Sequence, residues 1–104
     1  MVKFKLQKDA QGKIVRITVK GHSGFAEKGE DIVCASVSAA VWMTLNGIEE
    51  NGLAALSCVQ KDGFVDCTVS SERNEACDYM LQSLVSFILK LAKQYKKYIF
   101  VSQV

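Results

Sequence analysis

In several short stretches of this chain apolar and polar residues take turns, and that period of two limits the possible folds more than any other feature. Val2, Phe4 and Leu6 alternate with Lys3 and Lys5, the pattern of a strand with one buried face. Lys8-Asp9-Ala10-Gln11-Gly12 reads as a turn, and Ile14 to Lys20 follows, rich in β-branched residues. There Val15, Ile17 and Val19 fall on one face and Arg16, Thr18 and Lys20 on the other, so the two strands form a hairpin. A second hairpin is signalled by Lys61-Asp62-Gly63 between the runs Leu53 to Gln60 and Phe64 to Val69, because Asp-Gly suits a tight two-residue turn. That turn places Gln60 opposite Val65, Cys58 opposite Cys67 and Leu56 opposite Val69. Leu56, Cys58, Cys67 and Val69 then share one face, while Ser57, Lys61, Asp66 and Thr68 lie on the other.

Sheets apolar on one side need a second layer over that side. Two helical segments supply it. Between Ile32 and Glu50, Val33, Val37, Val41, Thr44, Leu45 and Ile48 recur at helical spacing, and Asn51-Gly52 ends the run. Asp31 reads as its N-cap. Ser71 reads as the cap of a second helix reaching about Gln94, with Glu72 and Glu75 at its positive end. Its expected buried stripe is Ala76, Met80, Leu84, Phe87, Ile88 and Leu91, with Cys77 half-buried beside it. Tyr98 to Val101 reads as a last strand. The order ββαββαβ predicts an α+β two-layer sandwich, a mostly antiparallel sheet of about five strands with both helices on one face. A chain of 104 residues, 49% hydrophobic, is enough for one domain with a modest core.

The chemistry concentrates between Gly21 and Ser38. This stretch holds His22, the sole histidine, and Cys34, on either side of a loop, Ser23 to Glu30, punctuated by Gly24 and Gly29. A cysteine attacks a carbonyl as thiolate and needs a base or a lowered pKa, and imidazole is the usual partner. If Asp31 caps the helix, Cys34 lies in its first turn, where the dipole favours negative charge and could hold an oxyanion. Ser38, one turn on, shares the face of Cys34; Trp42 follows on that flank and is read as core. Equally, the residues alone admit a packed structural cysteine beside an unrelated histidine. There is no phosphate-binding glycine signature and no paired-histidine or Cys-x-x-Cys spacing, so neither a metal nor a cofactor is expected.

Gly-His, a short glycine-containing loop, then Asp-Ile-Val-Cys-Ala and Ser-Ala resembles the signature of the ribosomal-processing cysteine proteases of bacteria, the Prp family. The resemblance extends over nearly the whole chain in length and element order but is specific only from Gly21 to about Ala39. It implies a cysteine endopeptidase that removes a short N-terminal extension from a large-subunit ribosomal protein, cutting between an aromatic and a small residue. By position Cys34 matches the nucleophile and His22 the general base, while Gly21, Asp31 and Ser38 match motif residues; Asp31 and Ser38 are candidates for a third, base-orienting group. Gly24, Phe25 and Gly29 would belong to a loop that opens and closes over an extended peptide. The alternatives are another thiol-dependent hydrolase or acyl transferase, or a non-catalytic ribosome-assembly interaction domain.

Thirteen basic and eleven acidic side chains nearly cancel, which does not predict nucleic-acid binding. Lys90, Lys93, Lys96 and Lys97 read as the solvated end of the second helix. No apolar run is expected to reach the roughly 18 residues of a membrane span. The resemblance implies as partners a ribosomal protein precursor and a second copy of the chain; neither nucleic acid nor a membrane is expected. Four cysteines with no signal peptide suggest a reducing cytoplasm, in which Cys58 and Cys67 would stay free thiols.

Overall fold

A computed structural model describes residues 1–21, 28–61 and 63–104, with the backbone alone at 28–31. The elements run β1 (Val2–Lys8), β2 (Ile14–Lys20), α1 (Lys28–Glu50), β3 (Ala54–Lys61), β4 (Phe64–Arg73), α2 (Glu75–Gln94) and β5 (Ile99–Gln103). They form one five-stranded sheet in the order β3-β4-β2-β1-β5. Only β5 joins in parallel, beside β1; β1–β2, β2–β4 and β3–β4 are antiparallel. The predicted α+β two-layer architecture is the one found.

Alternation decides which face is covered. Val2, Phe4, Leu6, Ile17, Val19, Cys67, Val69 and Ile99 point to the helices and are buried. The β1–β2 register slips between Gln7 and Lys8, so Lys8 faces Ile14. Val15 is the extra residue of that irregularity and is only half-buried, while Ile14 is buried in its place. In α1, Val33, Val37, Val41, Leu45 and Ile48 form the buried stripe as their spacing predicts. The helix ends with Gly52 at φ +63°, Gly52 N–H donating to Glu49 O at 3.1 Å and Leu53 N–H to Ile48 O at 2.9 Å. Those two bonds satisfy carbonyls the last turn leaves open.

Several boundaries differ from the sequence reading. α1 begins at Lys28, so Asp31 is not its N-cap and Gly29 lies in the helix instead of in the loop. Gly24 and Phe25 fall outside the described residues. β4 runs on to Arg73, which takes Ser71 and Glu72 into a strand; the cap of α2 is Asn74, whose Oδ1 accepts from Ala76 N–H at 2.8 Å. The buried stripe differs from the expected one as well. Cys77, Leu81, Leu84 and Ile88 are its buried residues, while Phe87 is 44% exposed. α1 meets α2 where Gly47 leaves room for Met80, whose Cε would lie 2.6 Å from a Cβ there.

Two further expectations change. Ile32–Glu50, 19 residues of mean hydropathy 1.4, is long and apolar enough to cross a bilayer by length and composition; here its stripe packs on the sheet. Cys58 and Cys67, directly opposite in the β3–β4 ladder, are joined as a disulfide and are not two free core thiols. Their side chains do share the predicted face, but β3 is the edge strand, so Cys58 stays exposed while Cys67 is buried.

Candidate active site

Cys34 sits on the flank of α1, next to the buried Val33, and is half-buried. Ser38 and Trp42 follow at successive turns, and all three line one cavity of about 470 Å³. Its opposite wall comes from the end of β2 and the β3–β4 turn: Gly21, Lys61, Gly63 and Phe64. The cavity thus lies where the helix layer meets one end of the sheet. Trp42 serves both purposes, packing against the core and walling the cavity.

Gly21 has a steric reason to be glycine. A Cβ there would stand 3.0 Å from Val2 Cγ2 and 3.1 Å from Val2 Cα, tighter than ordinary packing accepts. Its N–H donates to Gly63 O at 2.9 Å, so the β2 terminus is tied to the hairpin turn. Gly63 adopts φ +70°, which a side chain would strain. His22, the residue after Gly21 in the chain, lies outside the described residues, as do Ser23, Gly24, Phe25, Ala26 and Glu27.

With α1 beginning at Lys28, Cys34 lies in the second turn. The dipole's effect fades beyond the first turn, and N–H groups without an intrahelical acceptor belong to the first four residues. The helix terminus is therefore one turn removed from the thiol. Ser36, in contrast, turns its hydroxyl back to Ile32 O at 2.8 Å.

Other cavities and cysteines offer less. A cavity of about 690 Å³ between the β1–β2 hairpin and α2 is lined by Leu6, Ile14, Leu81, Val85 and Leu89, and among the described residues no cysteine stands on its walls. Cys77 is fully buried; burial pushes its thiol pKa up, against a smaller opposing effect of the nearby Arg73 cation. Among the described residues no group of three or more His, Cys, Asp or Glu side chains is placed to hold a metal ion.

The fold brings together Cys34, Ser38 and Gly21, which the motif between Gly21 and Ser38 marks as candidates. Lys61, Gly63 and Phe64 join them at the cavity with no signal in that motif. Asp62-Gly63 was legible as a turn, but its contact with Gly21 depends on β4 pairing with β2.

Comparison with known proteins places the chain in context. A family profile described as cysteine protease Prp matches residues 1–100. The ribosomal processing cysteine protease Prp of Mycoplasma pneumoniae is 44% identical over 50 residues, which are 48% of this chain and 46% of that protein. The match thus spans about half the length of that curated relative. The crystal structure of the essential ribosomal processing protease Prp from S. aureus with a substrate peptide has a TM-score of 0.92 at 21% identity, covering 100% of both chains. Its complex with a covalently linked product peptide gives 0.88 at 22% identity, again over 100% of both. These two likenesses are likenesses of fold.

Proposed function

Because the chain belongs to the cysteine protease Prp family, we propose that it is a cysteine endopeptidase that removes a short N-terminal extension from a large-subunit ribosomal protein. One observation carries the proposal: Cys34, Ser38 and Gly21, the residue preceding His22, line a single cavity open to solvent. The Cys34 Sγ attacks the scissile carbonyl carbon as His22 takes its proton. The tetrahedral oxyanion collapses, the amide C–N bond breaks, and the imidazolium returns the proton to the leaving amine. Water then hydrolyses the thioester, with His22 again as base, and frees Cys34. A covalently linked peptide, as held by the S. aureus protease, is the kind of species a nucleophilic route forms. Ser38 is proposed to support the base or the substrate from the cavity wall. Gly24 and Phe25 are proposed to close over the peptide.

The reaction requires no cofactor and no metal, and its setting is proposed to be the cytoplasm. A homodimer is part of the proposal. Met43 is 80% exposed and Phe87 44%, and they share a shallow apolar groove with Ala39, Ala40 and Leu84 on the outer surface of the helices, which a second copy would cover. Sedimentation of the parent and of Met43→Glu checks this; a parent that sediments as a monomer at working concentration refutes the dimer.

The enzyme is tested by incubating it with a ribosomal protein precursor and measuring intact masses. A mass loss equal to an N-terminal extension, abolished by Cys34→Ala, supports it. Cleavage of small esters with no cleavage of the precursor would favour a thiol hydrolase or acyl transferase. Absence of any thiol-dependent turnover would favour the non-catalytic assembly domain.

A further inference from the structure

The face of the sheet away from the helices is open, and its residues fall into register rows. One row crosses all five strands: Lys61 of β3 faces Phe64 of β4, Phe64 faces Lys20 of β2, Lys20 faces Lys3 of β1, and Lys3 faces Phe100 of β5. The next row holds Val59, Asp66, Thr18, Lys5 and Ser102, and the one after it Ser57, Thr68, Arg16 and Gln7. Over these rows five cations stand against one carboxylate. That carboxylate is engaged: Asp66 binds Arg16 through two hydrogen bonds of 2.6 and 2.9 Å and accepts a longer one, 3.4 Å, from Thr18. Lys3, Lys5, Lys20 and Lys61 make no salt bridge among the described residues.

Two features of the first row point to a ligand. Lys3 and Lys20 are directly opposite, an arrangement of like charges that works against the sheet unless an anion lies over it. Within the row this lysine pair is flanked by an aromatic ring on either side. Phe100 is 56% exposed on β5, and Phe64 carries the Lys20 ammonium 5.7 Å from its ring centroid. Phe64 and Phe100 are three strand spacings apart, about 14 Å, with the two lysines between them. The surface between them is concave, a cavity of about 310 Å³ lined by Lys3, Lys5, Lys20, Phe64 and Phe100 among others. Two stacking rings separated by ammonium groups suit a chain that carries a flat base and a phosphate on every unit, which is single-stranded nucleic acid. An acidic peptide would satisfy the lysines but leave the rings without a partner. The near-neutral total charge conceals this face, on which Asp66 is the one carboxylate among the described residues of these rows.

We infer that the open sheet face is a binding site for single-stranded RNA, with Phe64 and Phe100 stacking bases and Lys3, Lys5 and Lys20 holding phosphates. The choice of RNA over DNA rests on the proposed ribosomal substrate; the stacking and charge argument does not. Phe64 also lines the Cys34 cavity, so the row runs from the rim of the active site across to the opposite sheet edge. A bound strand would hold the protease against an RNA-bearing substrate particle while the cavity receives the peptide.

The test is fluorescence anisotropy with a labelled single-stranded RNA of about twelve nucleotides, within the site sizes such surfaces cover. It uses the full chain carrying Cys34→Ala, so that the readout does not depend on proteolysis. Saturable binding is expected at low salt. Phe100→Ala should weaken it roughly tenfold, Phe100→Tyr should restore it, and Lys3→Gln and Lys5→Gln should each flatten the dependence of log affinity on log salt by about 0.7. Peptide cleavage by the otherwise native enzyme should be unchanged in Phe100→Ala, since that ring is not part of the Cys34 cavity. The inference is overturned by absence of binding, by affinity indifferent to Phe100→Ala, by poly-glutamate or same-sequence DNA binding more tightly than the RNA, or by Phe100→Ala dissociating a dimer. Loss of the protease reading would show in the precursor assay and leave this measurement as it stands.

Discussion

Gly21 donates its backbone N–H to the carbonyl of Gly63 at 2.9 Å, tying the strand end that leads to His22 to the turn that walls the Cys34 cavity. A methyl group on Gly21 would press on Val2 Cγ2 and on the Val2 backbone at 3.0 and 3.1 Å, and the backbone atom cannot rotate away. Gly21→Ala should lose about 1–3 kcal/mol of stability, the usual scale of overpacking. Cleavage should fall further than stability explains, because the strand end moves with it. Denaturant titration alongside peptide turnover checks both, and a variant equal to the parent in each would remove the steric account of this glycine.

The cysteines should separate by reactivity. Without reductant at neutral pH, a small alkylating reagent should modify Cys34 first. Cys58 and Cys67 are joined, and Cys77 is both buried and shifted toward the neutral thiol. Peptide mapping of the alkylated protein reads this directly, and Cys77 labelled ahead of Cys34 would contradict it.

Cys77 also has a consequence for alkaline stability. Its pKa is raised in the folded state by burial, so the folded protein holds this proton more tightly than the unfolded chain. The associated stability is intact below the ordinary thiol value, about 8.5, and is lost as pH rises from there through the folded value. Cys77→Ala should lose stability less steeply across that alkaline range. Melting temperatures of parent and variant from pH 7 to about 10 measure the difference; parallel curves would remove Cys77 from the account.

His22→Ala should lower the rate of peptide cleavage by roughly two to four orders of magnitude at neutral pH, the scale of a lost positioned base. With no second histidine in the chain to replace it, the variant's pH–rate profile should differ in shape from the parent's. A profile identical to the parent's would mark His22 as a bystander.

The second helix offers a test of where it begins. Asn74→Ala removes the oxygen that accepts from Ala76 N–H and should cost about 1 kcal/mol. Ser71→Ala, on the exposed end of β4, should stay within about 0.5 kcal/mol of the parent. Equal losses in urea titrations would mean that Ser71 shares the capping.

The sequence by itself determined what depends on near neighbours. Alternation over Val2 to Leu6 and Ile17 to Lys20 set which side chains face inward, whereas the slip opposite Lys8 exchanged Val15 for Ile14, and Asp62-Gly63 set the pairing of Cys58 with Cys67. The spacing of Val33, Val37, Val41, Leu45 and Ile48 set the buried face of α1 and, by the same geometry, placed Cys34 and Ser38 together. Helix and strand starts were less legible, because capping residues compete: Ser71 and Asn74 are both good caps, and continued pairing of β3 with β4 as far as Arg73 decided for Asn74. Only the tertiary structure decided which strands adjoin. The order β3-β4-β2-β1-β5 rests on contacts between segments far apart in the chain, and no local preference encodes them. That order carries Gly63 to Gly21 at the Cys34 cavity, and it aligns Lys61, Phe64, Lys20, Lys3 and Phe100 in one row from residues that the chain scatters across its length.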